Sequence, residues 1–404
     1  MDKALADLTV LDLSRVLAGP YGTMVLGDFG AEIIKVEQPG RGDDTRQWGP
    51  PFTEHGQSAY FLSVNRNKRS ITLNLKNEKG RGILRRLAAQ ADVLIENFKV
   101  GVMDGLGLGY ETLRTINPGL IYCSITGYGQ TGPYKDRPGY DTVIQAQGGL
   151  MSITGPGAEE DGGEDGQPFK VGVAIVDVSA GLFAVIGILT ALHHRQRTGQ
   201  GQQIDIALFD AQLGWLANVA SNYLVSGQPP GRYGNAHGTI VPYQTFPTGD
   251  GHLMLAVGND RQFRALCGAL GVDGLADDPR FATNPARVMN RDVLVPLLVR
   301  LFGEQPTHWW IERLLDVDVP CGPVDDIPTA LSNPQAQARK MVQQVVDSAG
   351  DEISLVGPVI KLSKTPAAID SAPPHLGQQT EEVLREKLGL NAADIEELRR
   401  EGVI

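Results

Sequence analysis

With 404 residues, of which 42% are hydrophobic and 21% charged, the chain has the composition of a globular protein of two or three domains with a large core. A net charge of −11 argues against general nucleic-acid binding, although it leaves room for a local basic pocket. Cys123, Cys267 and Cys321 show no metal or disulfide spacing, which points to a reducing compartment and to small core residues rather than nucleophiles. The N-terminus MDKALADLTVLDL has no secretion-signal pattern, so a cytoplasmic protein is expected.

Leu8 to Leu13 is a short apolar, β-branched run, and Ala18-Gly19-Pro20 places proline at a helix start, so a helix is expected from there to Gly30. Glu32 to Pro39 reads as a second buried strand, which completes a βαβ unit and implies a parallel sheet. Glu37 falls where a dinucleotide fold has its ribose-binding acid, yet Gly19, Gly22 and Gly27 do not spell G-x-G-x-x-G, and there is no Walker A pattern. A nicotinamide dehydrogenase is therefore disfavoured. Arg41 to Gly56 reads as loop and Tyr60 to Lys79 as a strand region, whose basic cluster Arg66, Lys68 and Arg69 is either a solvated edge or a phosphate site.

A helix from Glu78 to Gln90 leads to the strand DVLIENF, and Asn97, Phe98 and Lys99 then stand at the carboxyl end where open α/β sheets bind ligands. The helix Tyr110 to Ile116 and the strand GLIYCSITGYG continue the alternation, followed by the loop Gly129 to Thr142 and an exposed acidic stretch, Gly155 to Gly166. Val173 to Leu192 is almost wholly apolar, with Asp177 as its single ionisable residue, and His193, His194, Arg195, Arg197 and Gly199 follow. Basic residues and then glycine end a helix near Arg197. The run is long enough to span a membrane, but its acid and two glycines favour a buried helix. Asp177 is either a helix cap or a functional carboxylate at the mouth of that helix.

QQIDIALFD reads as a strand and AQLGWLANVASNYLVSG as a helix. Gly227 to Gly238 reads as a linker, VPYQTFPTGDGHLMLAVGND as a hairpin, and the helices Arg261 to Leu270, Asp292 to Leu301 and Thr307 to Leu315 complete a smaller α+β domain. VPCGPV marks the way back, and helices Thr380 to Leu388 and Ala392 to Glu401 close the chain.

VLDLSRVLAGP, GAEIIKVEQPGRGDDTR, NRNKRSITLNLK, ADVLIENF, GYGQTGP with GYD, the Asp177 helix ending RTGQGQ, GNAHGTIVPYQTF, AVGNDRQF, DDPRF and VPCGPV together resemble the class III CoA-transferases, the CaiB/BaiF family. The resemblance covers essentially the whole chain. It implies an α/β fold with a doubly wound, Rossmann-like large domain, a small α+β domain, and two ring-like subunits interlocked as a homodimer. The implied division is 1–215 for the first part of the large domain, 216–235 a linker, 236–325 the small domain, 326–345 a linker, and 346–404 the return to the large domain.

Residue by residue, Asp177 stands where the family has its aspartate nucleophile. The implied coenzyme contacts are Leu17, Ala18, Gln38, Leu73, Asn74, Leu75, Lys76, Asn97, Phe98, Lys99 and Tyr140. Gln38 and Gly105 replace arginines common in the family, so Lys99, Lys68 or Arg69 are expected to remake those contacts. Leu17 replaces the glutamine of the formyl- and oxalate-using branch, which argues against oxalate. The family's racemases carry a histidine in a G-H-D sequence; Tyr140 stands there and holds its proton near neutral pH, its ordinary pKa being about 10.

The resemblance thus implies transfer of CoA from an acyl-CoA donor, in the first instance succinyl-CoA, to a small carboxylic or dicarboxylic acid through an aspartyl anhydride and an aspartyl-CoA thioester. Coenzyme A and acyl-CoA enter as substrates, with no tightly bound cofactor, metal, nucleic acid or membrane expected. Arg46, Arg232 and His237 are candidates for the acceptor carboxylate. Backbone N–H groups at Gly148 and Gly149, or at Gly258 and Asn259, are candidates for the carbonyl oxygen. The alternatives are a 2-methylacyl-CoA racemase of the same fold and a CoA-binding protein without transferase chemistry.

Overall fold

The computed structural model describes residues 3–157 and 167–404. Most of the expected acidic loop, 158–166, lies outside the described residues. The chain divides into two compact units: Met1–Leu150, Val171–Val225 and Pro334–Ile404 form the first, and Met151–Lys170 with Ser226–Asn333 the second. Residues 151–170, expected in the large domain, thus cluster with the second unit.

The first unit is built on six parallel strands: β1 (Thr9–Asp12), β2 (Glu32–Glu37), β3 (Lys68–Thr72), β4 (Val93–Glu96), β5 (Ile121–Thr126) and β6 (Gln203–Ala207). Their order is β3-β2-β1-β4-β5-β6, so the sheet reverses direction between β1 and β4, the doubly wound arrangement. Side chains alternate across the strands with period two. Val10, Ile33, Val93, Ile95, Ile121 and Cys123 face one core. Leu11, Ile34, Ile71, Leu94 and Tyr122 face the other.

Against the first face pack helices α1 (Ala18–Asp28) and α2 (Ile175–Thr198). Against the second pack Glu78–Ala88 and the C-terminal helices Thr380–Leu388 and Ala392–Arg400. Both chain ends therefore build one unit. α2 ends on Gly199 at φ +75°, as the glycine and the basic last turn require. It is long and apolar enough to cross a membrane, but only part of its surface is open; Val176, Ala180, Ala184, Ile188 and Ala191 are buried.

α1 and α2 touch through glycines. A methyl group on Gly181 would lie 2.5 Å from the Ala18 carbonyl oxygen, and one on Gly22 would lie 2.9 Å from the Gly181 carbonyl oxygen. Gly181→Ala is expected to force the helices apart and cost about 1–3 kcal/mol, read as a melting temperature several degrees lower.

Several boundaries differ from expectation. Tyr60 lies in a short helix, Ala59–Leu62, started by Ser58, whose hydroxyl accepts from the Tyr60 and Phe61 N–H groups. The helix expected over Ala211–Gly227 is two helices, Leu208–Trp215 and Ala217–Ser226, broken where Ala217 adopts φ +36°. An antiparallel hairpin, Val342–Val346 with Glu352–Val356, occupies a stretch read partly as linker.

The second unit holds the antiparallel sheet β7 (Tyr243–Pro247), β8 (His252–Ala256) and β9 (Cys321–Pro323). Its own core includes Phe246, Leu255, Phe263, Leu298, Phe302 and Trp310.

Candidate active site

At the reversal between β1 and β4 the chain segments leaving the two strands part, and the loops Arg15–Ala18 and Asn97–Val100 line a cavity of about 200 Å³. Asp177, Gly127, Tyr140 and Leu208 complete it, with Arg15, Lys99, Lys135 and Arg137 as basic members of its wall. A second cavity, of about 260 Å³, shares Arg15 and Phe98 with the first. Leu13, Leu73, Leu75, Val102 and Leu106 give it apolar walls, and Gln38, Asn74 and Lys76 its polar groups. All eleven residues expected to contact coenzyme A line one or both of these cavities. A larger open groove of about 820 Å³, among Glu381, Arg385 and Arg399, includes none of them.

Asp177 is in the first turn of α2, but it does not cap the helix. Asp141, which opens the helix α3 (Asp141–Gln147), does so from outside. Its Oδ2 accepts from the Val176 N–H at 2.9 Å and more weakly from the Asp177 N–H at 3.4 Å, while Gln145 donates to its Oδ1 at 2.6 Å. This changes the electrostatics expected of a helix start. The N–H groups that would favour an anion at Asp177 are given to Asp141, whose charge adds to the repulsion. Burial first, and Asp141 second, push Asp177 up to about 7. A half-buried carboxylate poised near neutrality is the nucleophile or base that a covalent or proton-transfer site needs.

Tyr60 was not singled out by sequence reasoning. Burial raises its phenol to about 12, with the carboxylates of Asp177, Asp141 and Asp43 adding to the effect. It is therefore a neutral hydroxyl within the field of Asp177. Its ring meets Trp48 edge-on at 5.1 Å. Only spacing across a loop separates it from the site in sequence, and no local pattern marks it.

A match to the family model CoA-transferase family III runs over residues 5–380. The chain belongs to this family. It is thus a family III CoA-transferase, with CoA thioesters as substrates. It is 46% identical over 402 residues to the mouse protein named succinyl-CoA:glutarate CoA-transferase, covering 100% of this chain and 90% of that one. It is 47% identical over 392 residues to the Agrobacterium fabrum succinate–glutarate CoA-transferase, covering 95% of each. A solved structure of a CaiB/BaiF family protein from Brucella suis superposes with a TM-score of 0.83 at 46% identity, covering 96% of this chain and 100% of that one.

The transferase uses several of its expected site residues differently. Asn97 lines the cavity, but its amide clamps the first loop: Arg15 N–H donates to its Oδ1 at 2.9 Å and its Nδ2 donates to Arg15 O at 2.7 Å. Lys68 is buried and donates to Asp12, Asn65 and the Pro20 carbonyl, and Arg69 pairs with Glu32, Glu382 and Glu386. Neither replaces an arginine at the coenzyme. The basic cluster is neither solvated edge nor phosphate site, because Arg66 too is buried, on Asp28.

Arg46 is taken by Glu37, to which it donates twice at 2.7 and 2.8 Å, and its guanidinium lies 3.7 Å from the Phe61 ring centroid. It is not free for an acceptor carboxylate. Arg232 and His237 belong to the second unit; the His237 Nδ1 accepts from Thr239 N–H at 3.1 Å. Of the suggested oxyanion donors, the Gly148 N–H is bonded to the Ile144 carbonyl and the Gly258 N–H to Gln262 Oε1, so both are already occupied.

Of the cations expected to remake the coenzyme contacts, Lys99 is the one that lines the cavity. Lys99→Ala is expected to raise KM for acyl-CoA about tenfold with little change in kcat, the mark of a contact made equally in ground and transition states.

Proposed function

We propose that the enzyme transfers CoA from succinyl-CoA to a dicarboxylic acid of about the size of glutarate, with Asp177 as nucleophile. The observation that carries the reading is that Asp177 lines the same cavity as Leu17, Ala18, Asn97, Phe98, Lys99 and Tyr140, six of the eleven expected coenzyme contacts, the other five lining the adjoining cavity that shares Phe98. The donor and acceptor classes are supported by the names of the two transferases most fully aligned above.

The Asp177 carboxylate attacks the thioester carbonyl and expels CoA thiolate, leaving a mixed anhydride. The thiolate, with a parent pKa of about 8.5, leaves without a strong general acid. It then attacks the aspartyl carbonyl of the anhydride, releasing the donor acid and forming an aspartyl-CoA thioester. The acceptor carboxylate attacks that thioester to give a second anhydride and CoA thiolate. Attack of the thiolate on the acceptor's acyl carbon yields the new acyl-CoA and frees Asp177. A covalent route divides one difficult exchange into easier steps.

We further propose a homodimer. α2 leaves Leu182, Phe183, Ile186 and Leu189 between 40% and 58% exposed, an apolar stripe that a second copy would cover.

The test is intact-mass and peptide mapping after incubation with succinyl-CoA and borohydride trapping. A CoA-dependent modification at Asp177, absent in Asp177→Ala, is the expected result. No adduct, together with deuterium entering the α-position of a 2-methylacyl-CoA, would replace the proposal with racemisation. Tyr140, 64% exposed and ahead of α3, stands against that outcome.

A further inference from the structure

In a parallel sheet covered on both faces, strand interiors are normally apolar. Here Asp12, Lys35 and Lys68 are buried in the sheet, and Asp43 joins them from the following loop; all four side chains are fully inaccessible. The steps above use none of them. Asp12 and Lys68 satisfy one another: Lys68 donates to Asp12, which also accepts from Ser14 and Thr23. Lys35 and Asp43 differ, because their bonds reach not only Ser14 but Val16, further along the loop 14–17.

Lys35 Nζ donates to the Ser14 carbonyl and to Asp43 Oδ2, both at 3.0 Å. The Asp43 carboxylate accepts from the Val16 N–H, at 3.2 and 3.3 Å to its two oxygens. It also accepts from Thr45 N–H and Oγ1, which starts the short helix carrying Asp44 to the cavity wall. Val16 itself has φ +70°. For a β-branched side chain this left-handed conformation is an outlier, and it persists only where the surroundings over-determine it. Asn97 holds Arg15 from the carboxyl end of the neighbouring strand β4, so the loop is pinned on both sides. Immediately beyond it, Ala18 backs onto Gly181, one turn after Asp177.

We propose that the buried Lys35–Asp43 pair is a positioning device for the transfer reaction: it holds Val16 in its left-handed conformation and so sets the loop 14–17 as a fixed wall of the acyl-CoA cavity that Asp177 also lines. The proposal rests on the reading of that cavity as the acyl-CoA site. An amide at position 43 presents an NH₂ where an acceptor is needed and removes the carboxylate bonded to Lys35, leaving it only the more distant charges of Asp12 and Glu37. The loop is then released to an ordinary backbone conformation. Glycine at position 16 adopts positive φ without strain and removes the reason to relax.

The test is a double-mutant cycle on kcat/KM for acyl-CoA. Asp43→Asn is expected to lower it about tenfold to a hundredfold, as misplacement of a site wall does. The same substitution made on Val16→Gly is expected to cost at least about threefold less. Equal cost in both backgrounds, or full activity in Asp43→Asn, overturns the proposal. Hydrogen exchange on the wild-type protein gives a second reading that needs neither variant folding nor turnover. The Arg15 and Val16 amides should exchange as slowly as those of β1, and exchange within seconds would overturn the proposal. Failure of the acyl-CoA reading would instead show as absence of the Asp177 adduct with these amides still protected.

Discussion

Asp177→Asn is expected to lower CoA transfer by about 10³-fold or more, as loss of a covalent nucleophile does, and at the same time to make the protein more stable above neutral pH. The stability effect follows from the environment of the carboxyl. Its pKa in the folded protein is about 7, against an ordinary value of 3.8, because burial and Asp141 both penalise the charge. The folded state therefore holds the proton more tightly than the unfolded state. The penalty is absent below pH 4, grows as pH rises towards 7, and is fully present above it. Asparagine never carries that charge. The stability difference between Asp177→Asn and wild type should open over the same interval and level off above pH 7, reaching about 2 kcal/mol once solvent screening of a half-buried group is allowed for. Calorimetry across pH 4–8 reads it directly. A variant less stable than wild type at pH 8 would show that the carboxylate is stabilised rather than strained.

The second large effect is expected in the pH profile. The proposed nucleophile acts only when ionised, so kcat/KM, which reports the free enzyme, should fall on the acid side with a midpoint near 7. Asp141→Asn removes the neighbouring charge while keeping a side-chain oxygen at the start of α2. The midpoint should move down by about one pH unit, because a like charge nearby disfavours ionisation and its removal restores it. Some stability is lost as well, since a charged acceptor at Val176 N–H becomes a neutral one, at about 1 kcal/mol. An unmoved acid limb would place the titrating group elsewhere. An acid limb that moves upward would show that Asp141 orients Asp177 rather than repelling it.

Both expectations depend on a contact that no sequence pattern marks. Asp141 lies 36 positions before Asp177, and the glycine-rich segment between them gives no reason to bring the two together. The α2 helix was legible because an almost wholly apolar run from Val173 to Leu192, a basic last turn and Gly199 are local signals; the group that caps it was not, because the cap comes from another helix. The same division holds for the cations. Lys99 follows a strand end and lines a cavity wall, whereas Arg46 and Lys68 looked free in sequence and are held by Glu37 and Asp12.

The chain's own pattern determined the parallel alternation of the first unit, the hairpin of the second, the helix ends set by glycine, and the two strand ends that carry the site. These follow from periodicity of two and 3.6 and from turn chemistry, which act over a few residues. The order of the strands, the closing of two chain ends onto one sheet, the capping of α2 by Asp141 and the pairing of Lys35 with Asp43 beneath Val16 were decided by tertiary structure alone. Charge and hydrogen-bond satisfaction in a buried site depend on which groups meet in space, and residues far apart in sequence supply them.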